Sequence, residues 1–414
     1  MRALPPIEDL DDNTYYPNQS DAANFGTIAD AYGYIDEMRR KGPVQAGSYR
    51  EKFGLSDFTF PNRQSYSIYG YDAVQRVLQD TENFSNKIYE YNLGVGFGRS
   101  ITVMDRPEHG LYRPIFQKAF LPNRVRAWDA TIVAPVVDRI MATFEKRGHA
   151  DLVGEFAFRY PFEIIYAQLG MPAEDIDTFQ KLALTLTDYS RMDMVREANA
   201  KLGRYFQAML DLRRAEPGDD LVSTLAMAEA DGQRLPDEVI VSFLRQLINA
   251  AGDTTYRSTC AMLVGLLENP DQLRAVAEDR TLVAAAVEEA VRWEGPVIVH
   301  SRMALHDVEV EGTTIPAGSP VAVVAGSANH DPARYPDPEK FDIFRSRKVP
   351  HAGFTMGPHI CVGQHLARIE MSRALHAVLD RLPNLRLDPA YPHPQLRGCM
   401  MRVPEHIHVL FDPA

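Results

Sequence analysis

The feature that most narrows what this chain can fold into is one long helical stretch, predicted from about Pro236 to Leu267. Pro236 suits a first helical turn, and Asn269-Pro270 supplies the stop. Helical spacing recurs elsewhere: Leu375, Val378, Leu379 and Leu382 fall at i, i+3, i+4 and i+7, one buried face. Period-two alternation is confined to short pieces. Val308 and Val310, a Gly312 turn, Pro316-Ala317-Gly318 and then Val321 to Val324 read as a small hairpin. No repeat, low-complexity tract or linker rich in Gly, Ser or Pro divides the chain. The expected class is mainly α with a minor β portion, in a single domain over residues 1–414.

The interior of the long helix breaks local rules. Leu247-Ile248-Asn249-Ala250-Ala251-Gly252-Asp253-Thr254-Thr255 places a glycine, which weakens a helix by roughly 1 kcal/mol relative to Ala, and then an acid and two threonines between apolar stretches. Such breaks in mid-core mark functional sites, although a partly exposed helix with a polar patch gives the same pattern.

Composition excludes several classes. Lys and Arg total 44 against 56 Asp and Glu, a net charge of −12, so the basic footprint of a nucleic-acid binder is absent. Such a charge suits a monomer. Met1 to Asn18 lacks a basic start followed by an apolar run, so no signal peptide is expected. No stretch approaches 18 uncharged apolar residues, so no membrane span is expected. Three cysteines, Cys260, Cys361 and Cys399, point to a reducing compartment, and the expected location is cytoplasmic.

Cys361 carries the chemistry. It sits in Phe354-Thr355-Met356-Gly357-Pro358-His359-Ile360-Cys361-Val362-Gly363-Gln364-His365-Leu366-Ala367-Arg368, just ahead of a strong helix. A helix N-terminus favours a thiolate, the form that binds metal, and Gly357 and Gly363 allow backbone to approach a flat partner. Zinc is a poor alternative, because neither other cysteine lies at paired-ligand spacing. A lone cysteine is more often a small buried hydrophobe.

With these residues in view the sequence resembles the cytochrome P-450 superfamily. Phe354, Gly357, His359, Cys361 and Gly363 match the family's haem-binding signature, and Leu366, Ala367 and Arg368 extend it. Three further matches lie in the expected order. Glu289-Ala290-Val291-Arg292 is similar to the family's Glu-x-x-Arg, whose pair is joined by a later Arg, here Arg345. Ala251-Gly252-Asp253-Thr254 resembles the oxygen-activating segment, with Ala251 where many members have Gly. His109 and Arg113, four apart, resemble the pair that binds a haem propionate; Arg302 and His359 also match propionate contacts, and His300 is placed to join them.

The resemblance implies the cytochrome P-450 fold, haem b held by Cys361, and dioxygen with two external electrons as co-substrates. It implies that Thr254 hydrogen-bonds oxygen and Asp253 gates protons, and that Glu289, Arg292 and Arg345 support the haem loop. Electrons are expected from a separate ferredoxin and its reductase, docking on the Cys361 side near Arg113 and Lys118. The substrate is expected to be a hydrophobic small molecule. Its pocket is expected to include Asn249, Ala250, Val297 and Met400, with Tyr89, Tyr91 and Phe97 either an aromatic wall or ordinary residues of a mobile surface loop. Asn249 is equally suited to bonding only backbone or water.

Overall fold

Thirty-two residues, Asp237–Glu268, form one uninterrupted helix, displaced by one residue at each end from the stretch predicted from the sequence. Pro236 caps this helix instead of entering its first turn. The computed structural model describes residues 4–17, 21–57, 60, 63–230 and 232–413. Residues 1–3 and 18 of the N-terminal stretch considered above lie outside them.

The elements that position the site are, in chain order, helices α1 (Asp21–Phe25), α2 (Glu108–Ala119), α3 (Tyr160–Leu169), α4 (Ile176–Thr185), α5 (Asp237–Glu268), α6 (Val283–Trp293) and α7 (Gln364–Arg381). The strands are β1 (Val44–Ala46), β2 (Tyr66–Ile68), β3 (Phe84–Ser85), β4 (Val299–Ala304), β5 (Val308–Val310), β6 (Thr313–Ile315) and β7 (Pro320–Val324).

At 1.5 Å per residue α5 runs about 48 Å through the molecule. Most of its residues are buried, as expected of a helix that is apolar around most of its circumference. It packs against α3, α4, α6 and α7. Gly252 has a packing reason: a Cβ added there would lie 2.3 Å from Phe162 Cε1 on α3. The loss of helix propensity is the cost of bringing α3 that close.

The β portion differs from the sequence reading. β5 and β6 form a hairpin, with Val310 opposite Thr313 across the Glu311-Gly312 turn. β7 is not part of it. It runs parallel to β2, pairing Val321 with Tyr66 and Val323 with Ile68, and antiparallel to β4, pairing Val321 with Arg302 and Val323 with His300. The sheet order is β1-β2-β7-β4-β3. Side chains alternate across a strand, so His300 and Arg302, two apart on β4, share one face. Leu375, Val378 and Leu382 are buried as predicted, and Leu379 is half-buried at the edge of the same face. Among the described residues no helix is long and apolar enough to cross a membrane.

Candidate active site

The Cys361 loop is two single turns, Ala352–Phe354 and Gly357–His359, leading into α7. Cys361 N donates to Phe354 O at 3.0 Å, closing the loop on itself. Burial pushes the Cys361 thiol up, while the N–H groups of Gly363 and Gln364 and the charges of Arg113 and Arg368 pull it down. Burial wins in the protein alone, so the helix N-terminus does not by itself produce the thiolate. A bound metal cation would supply the missing term, since a coordinating thiol is deprotonated outright. The two glycines do different work. Gly357, at φ 74°, approaches backbone: a Cβ there would lie 2.7 Å from Leu78 O, so its partner is the end of the Tyr71–Gln79 helix and not a flat group. A Cβ on Gly363 would meet nothing within 4 Å, leaving open space beside Cys361.

Nitrogen-bearing side chains from three segments gather nearby. The rings of His109, on α2, and His359 lie 4.0 Å apart. Arg302 is 2% exposed and forms no ion pair with a described carboxylate; its Nη1 donates to Ser301 O at 2.8 Å. Buried and without hydrogen-bond partners are His109 Nε2, His300 Nε2 and Arg302 Nε. Burial, aided by Arg113, depresses His109 to about 4. Burial and the neighbouring His109, Arg302 and Arg113 depress His359 to about 2. Burial and Arg302 lower His300 to about 3. Buried polar groups are normally paired, and these three unpaired nitrogens fit a ligand carrying carboxylates. Arg113 turns inward, and its Nη2 donates to Ile360 O. That leaves Lys118, exposed on the same helix, as the outward charge of the two.

At the middle of α5, Thr254 Oγ1 donates to Ala250 O at 2.6 Å. Asp253 accepts from Arg257 Nε at 2.9 Å, and Arg257 also reaches Asp21 Oδ2 of α1 at 3.1 Å. Ala250 and Ala251 are half-buried. Asn249 is buried, and its amide donates to Ala183 O at 2.9 Å and Thr187 Oγ1 at 3.3 Å, tying α5 to α4 and the turn after it. Of its two sequence readings, the donors serve the structural one. Val297 and Met400 lie side by side: Val297 bridges Met401, and Ile298 N donates to Met400 O at 3.0 Å. Met400 lines a cavity with Asn92, Tyr189, Val299 and Ser301. The three aromatic residues do not make one wall. Phe97 is in the core, Tyr91 is 59% exposed with its ring against Phe60, and Tyr89 Oη accepts from Ser301 N at 2.8 Å.

Glu289, Arg292 and Arg345 meet as one network. Arg292 makes a two-pronged pair with Glu289, at 2.8 and 2.7 Å, and Arg345 Nε reaches Glu289 Oε1 at 3.2 Å. Four participants escaped the sequence reading. Arg257 was legible as an i+4 partner of Asp253, but Asp21 lies far away in sequence. Glu370 sits on the buried face of α7, four after Leu366, and burial pushes its carboxyl well above the usual range, against a hydrogen bond from Thr255. Glu288 is paired with Arg368 and His351; burial pushes it up, but their hydrogen bonds win and hold it at about 2. No sequence signal distinguished it from its neighbour Glu289.

No group of three or more His, Cys, Asp or Glu among the described residues gathers to hold a bare metal ion. The site instead fits a planar anionic cofactor whose metal takes Cys361 on one side. Comparison with known proteins agrees. The Cytochrome P-450 family model matches residues 176–389. The cytochrome P-450 monooxygenase PikC of Streptomyces venezuelae is 32% identical over 413 residues, covering 96% of this chain and 93% of that protein. The vitamin D(3) 25-hydroxylase of Pseudonocardia autotrophica is 35% identical over 287 residues, covering 69% and 71%. Among solved structures, the cytochrome P-450 CYP109Q5 of Chondromyces apiculatus superposes with a TM-score of 0.83 at 28% identity, covering 93% of this chain and 96% of that one. CYP109E1 of Bacillus megaterium, in complex with testosterone, gives 0.80 at 28% identity, covering 92% and 99%. By these matches this chain is a member of the cytochrome P-450 family, a monooxygenase that carries haem b.

Proposed function

We propose that the chain, acting as one unit over residues 1–414, inserts one atom of dioxygen into a hydrophobic organic substrate with electrons from a separate ferredoxin and its reductase. The observation that carries this is the buried acid beside a hydroxyl at the middle of α5, Asp253 next to Thr254. A protein that only carries or senses a gas has no need of proton delivery.

Haem held by Cys361 supplies the oxidising chemistry, and a thiolate ligand favours O–O cleavage. His109, Arg113, Arg302 and His359 would hold its carboxylates, with His300 alongside, and Phe354, Gly363 and Ala251 would leave room for the ring. Thr254, whose hydroxyl now donates to Ala250 O, would be free to turn and offer a hydrogen bond to dioxygen. Asp253 passes protons inward from water when its carboxylate leaves Arg257. Glu289, Arg292 and Arg345 brace the segment leading to the Cys361 loop. Ala250, Val297 and Met400 give the substrate an apolar surface, and Asn249 fixes the α4 side of it.

Similar proteins include a vitamin D(3) hydroxylase and a structure with bound testosterone, so rigid polycyclic or terpenoid hydrophobes are the class to screen first. We place the protein in the cytoplasm as a monomer, in keeping with its net charge of −12.

The reduced protein under carbon monoxide should show the red-shifted absorption of thiolate ligation, and Cys361→Ser should lose it. Thr254→Ala should keep haem and substrate binding but send electrons to peroxide. An unchanged yield of product per electron would overturn the proton assignment.

A further inference from the structure

Arg368 belongs to the signature around Cys361 and pairs with Glu288. It lies on the second turn of α7, and its guanidinium returns over the ring of Phe354, 4.3 Å from the centroid. There it meets Glu288 of α6: Nε pairs with Oε1 at 2.5 Å and Nη2 with Oε2 at 3.1 Å, while Nη1 donates to Gln364 Oε1 at 2.9 Å. Such a two-pronged pair fixes the plane of the guanidinium as well as its position.

A third group completes the arrangement. His351 Nε2 lies 3.1 Å from Glu288 Oε2, and His351 Nδ1 accepts from Gly353 N at 3.1 Å, so the nitrogen facing Glu288 is the one that carries the proton. The His351 ring lies 5.8 Å from that of Phe354. Phe354 is thus held on its face by Arg368, flanked by His351 and bonded through its carbonyl to Cys361 N at 3.0 Å. The neighbouring carboxylates diverge: Glu289 serves Arg292 and Arg345, and Glu288 serves the Cys361 loop.

We propose that Glu288 and Arg368 are positioning residues that set the reduction potential of the iron bound at Cys361, with Glu288 neutralising a cation that the thiolate otherwise feels in full. This rests on Cys361 being the iron ligand. Arg368 packs on Phe354, whose carbonyl accepts from Cys361 N, and its positive charge favours the thiolate. One-electron reduction adds a negative charge to the iron–thiolate unit, and a nearby positive charge favours it while a negative charge opposes it. Potentials of such centres follow the charge and hydrogen bonding around the sulfur.

The two single variants therefore have opposite signs. Glu288→Gln leaves Arg368 unneutralised and should raise the potential, shifting the reduction equilibrium several-fold toward the reduced form at a fixed ratio of a reference dye. Arg368→Gln leaves Glu288 unneutralised and should shift it several-fold the other way. The double variant should return toward the unaltered protein, and Glu288→Asp should largely restore its value. Each is measured on purified haem-loaded protein by dye-coupled reduction, with the carbon monoxide band recorded alongside. A clamp that merely stiffened the loop would, once lost, move both single variants in the same direction. Shifts of one sign, or none, overturn the proposal. If one variant fails to fold, the sign of the other decides. Absence of the thiolate band from the unaltered protein is a separate result, and it would overturn the ligand assignment instead.

Discussion

Arg257 Nε donates to Asp253 Oδ1 across 2.9 Å, one turn further along α5, with both side chains buried. The same guanidinium reaches Asp21 at 3.1 Å and lies 5.3 Å from the ring centroids of Phe25 and Tyr256. A buried cation shared by two carboxylates cannot be removed cheaply. Arg257→Gln should lower stability by about 3–5 kcal/mol, since it strands buried charge. Arg274→Ala breaks an exposed pair with Asp271 and should cost no more than about 0.5 kcal/mol. Urea unfolding of the two variants checks the contrast; similar midpoints would mean that the buried pair carries little.

Gly252→Ala sets two effects against each other. Helix propensity favours Ala by roughly 1 kcal/mol, but the new methyl would lie 2.3 Å from Phe162 Cε1. Overpacking costs about 1–3 kcal/mol, so the net change should be destabilising. Adding Phe162→Leu should recover part of the loss, which a thermal-melt comparison of the three variants will show.

Glu288 gives the acid limb of stability a specific contributor. Its folded value of about 2 lies below the ordinary 4.5, so the folded state holds its proton less tightly than the unfolded chain. Its contribution is therefore full above about pH 4.5 and is lost as pH falls toward 2. The stability gap between unaltered protein and Glu288→Gln should shrink steadily from pH 5 to pH 3. A gap independent of pH would contradict the ion pair.

Arg302 should trade stability against cofactor affinity. It is buried and pairs with no carboxylate among the described residues, so Arg302→Leu should stabilise the haem-free chain or leave it unchanged. In the loaded protein it removes a charged hydrogen bond worth about 1.5–3 kcal/mol, a loss of roughly 10- to 150-fold in haem affinity. Haem transfer to an excess of apomyoglobin measures this. Parallel changes in stability and affinity would rule out the separation.

What the sequence disclosed follows physical range. The ends of α5 were legible because Pro236 and Asn269-Pro270 bracket a largely apolar stretch of 32 residues. The departure of β7 from the hairpin was not, because its parallel partner β2 lies some 250 residues earlier and no local pattern announces such a pairing.

The same holds at the site. His109 and His359 come within 4.0 Å across an equally long interval, and only the resemblance to a family suggested that they meet. Tyr91 reads as a pocket aromatic or as a surface-loop residue and is exposed against Phe60. Asn249 reads equally as a polar pocket group or as a residue that bonds backbone, and only the fold shows its amide donating to Ala183 O. In both cases a tertiary neighbour decides, and a single sequence does not display neighbours.

The long pairing of β2 with β7 has a consequence for how the protein is made. The sheet that presents His300 and Arg302 closes only when residues 321–323 meet residues 66–68, and Cys361 follows later still. At about 5–20 residues per second, roughly ten to fifty seconds of synthesis separate His109 from Cys361. On the proposed ligand set, haem capture is therefore a late event in the life of the nascent chain, and a ribosome that stalls before Cys361 leaves a product without the thiol that would hold the cofactor.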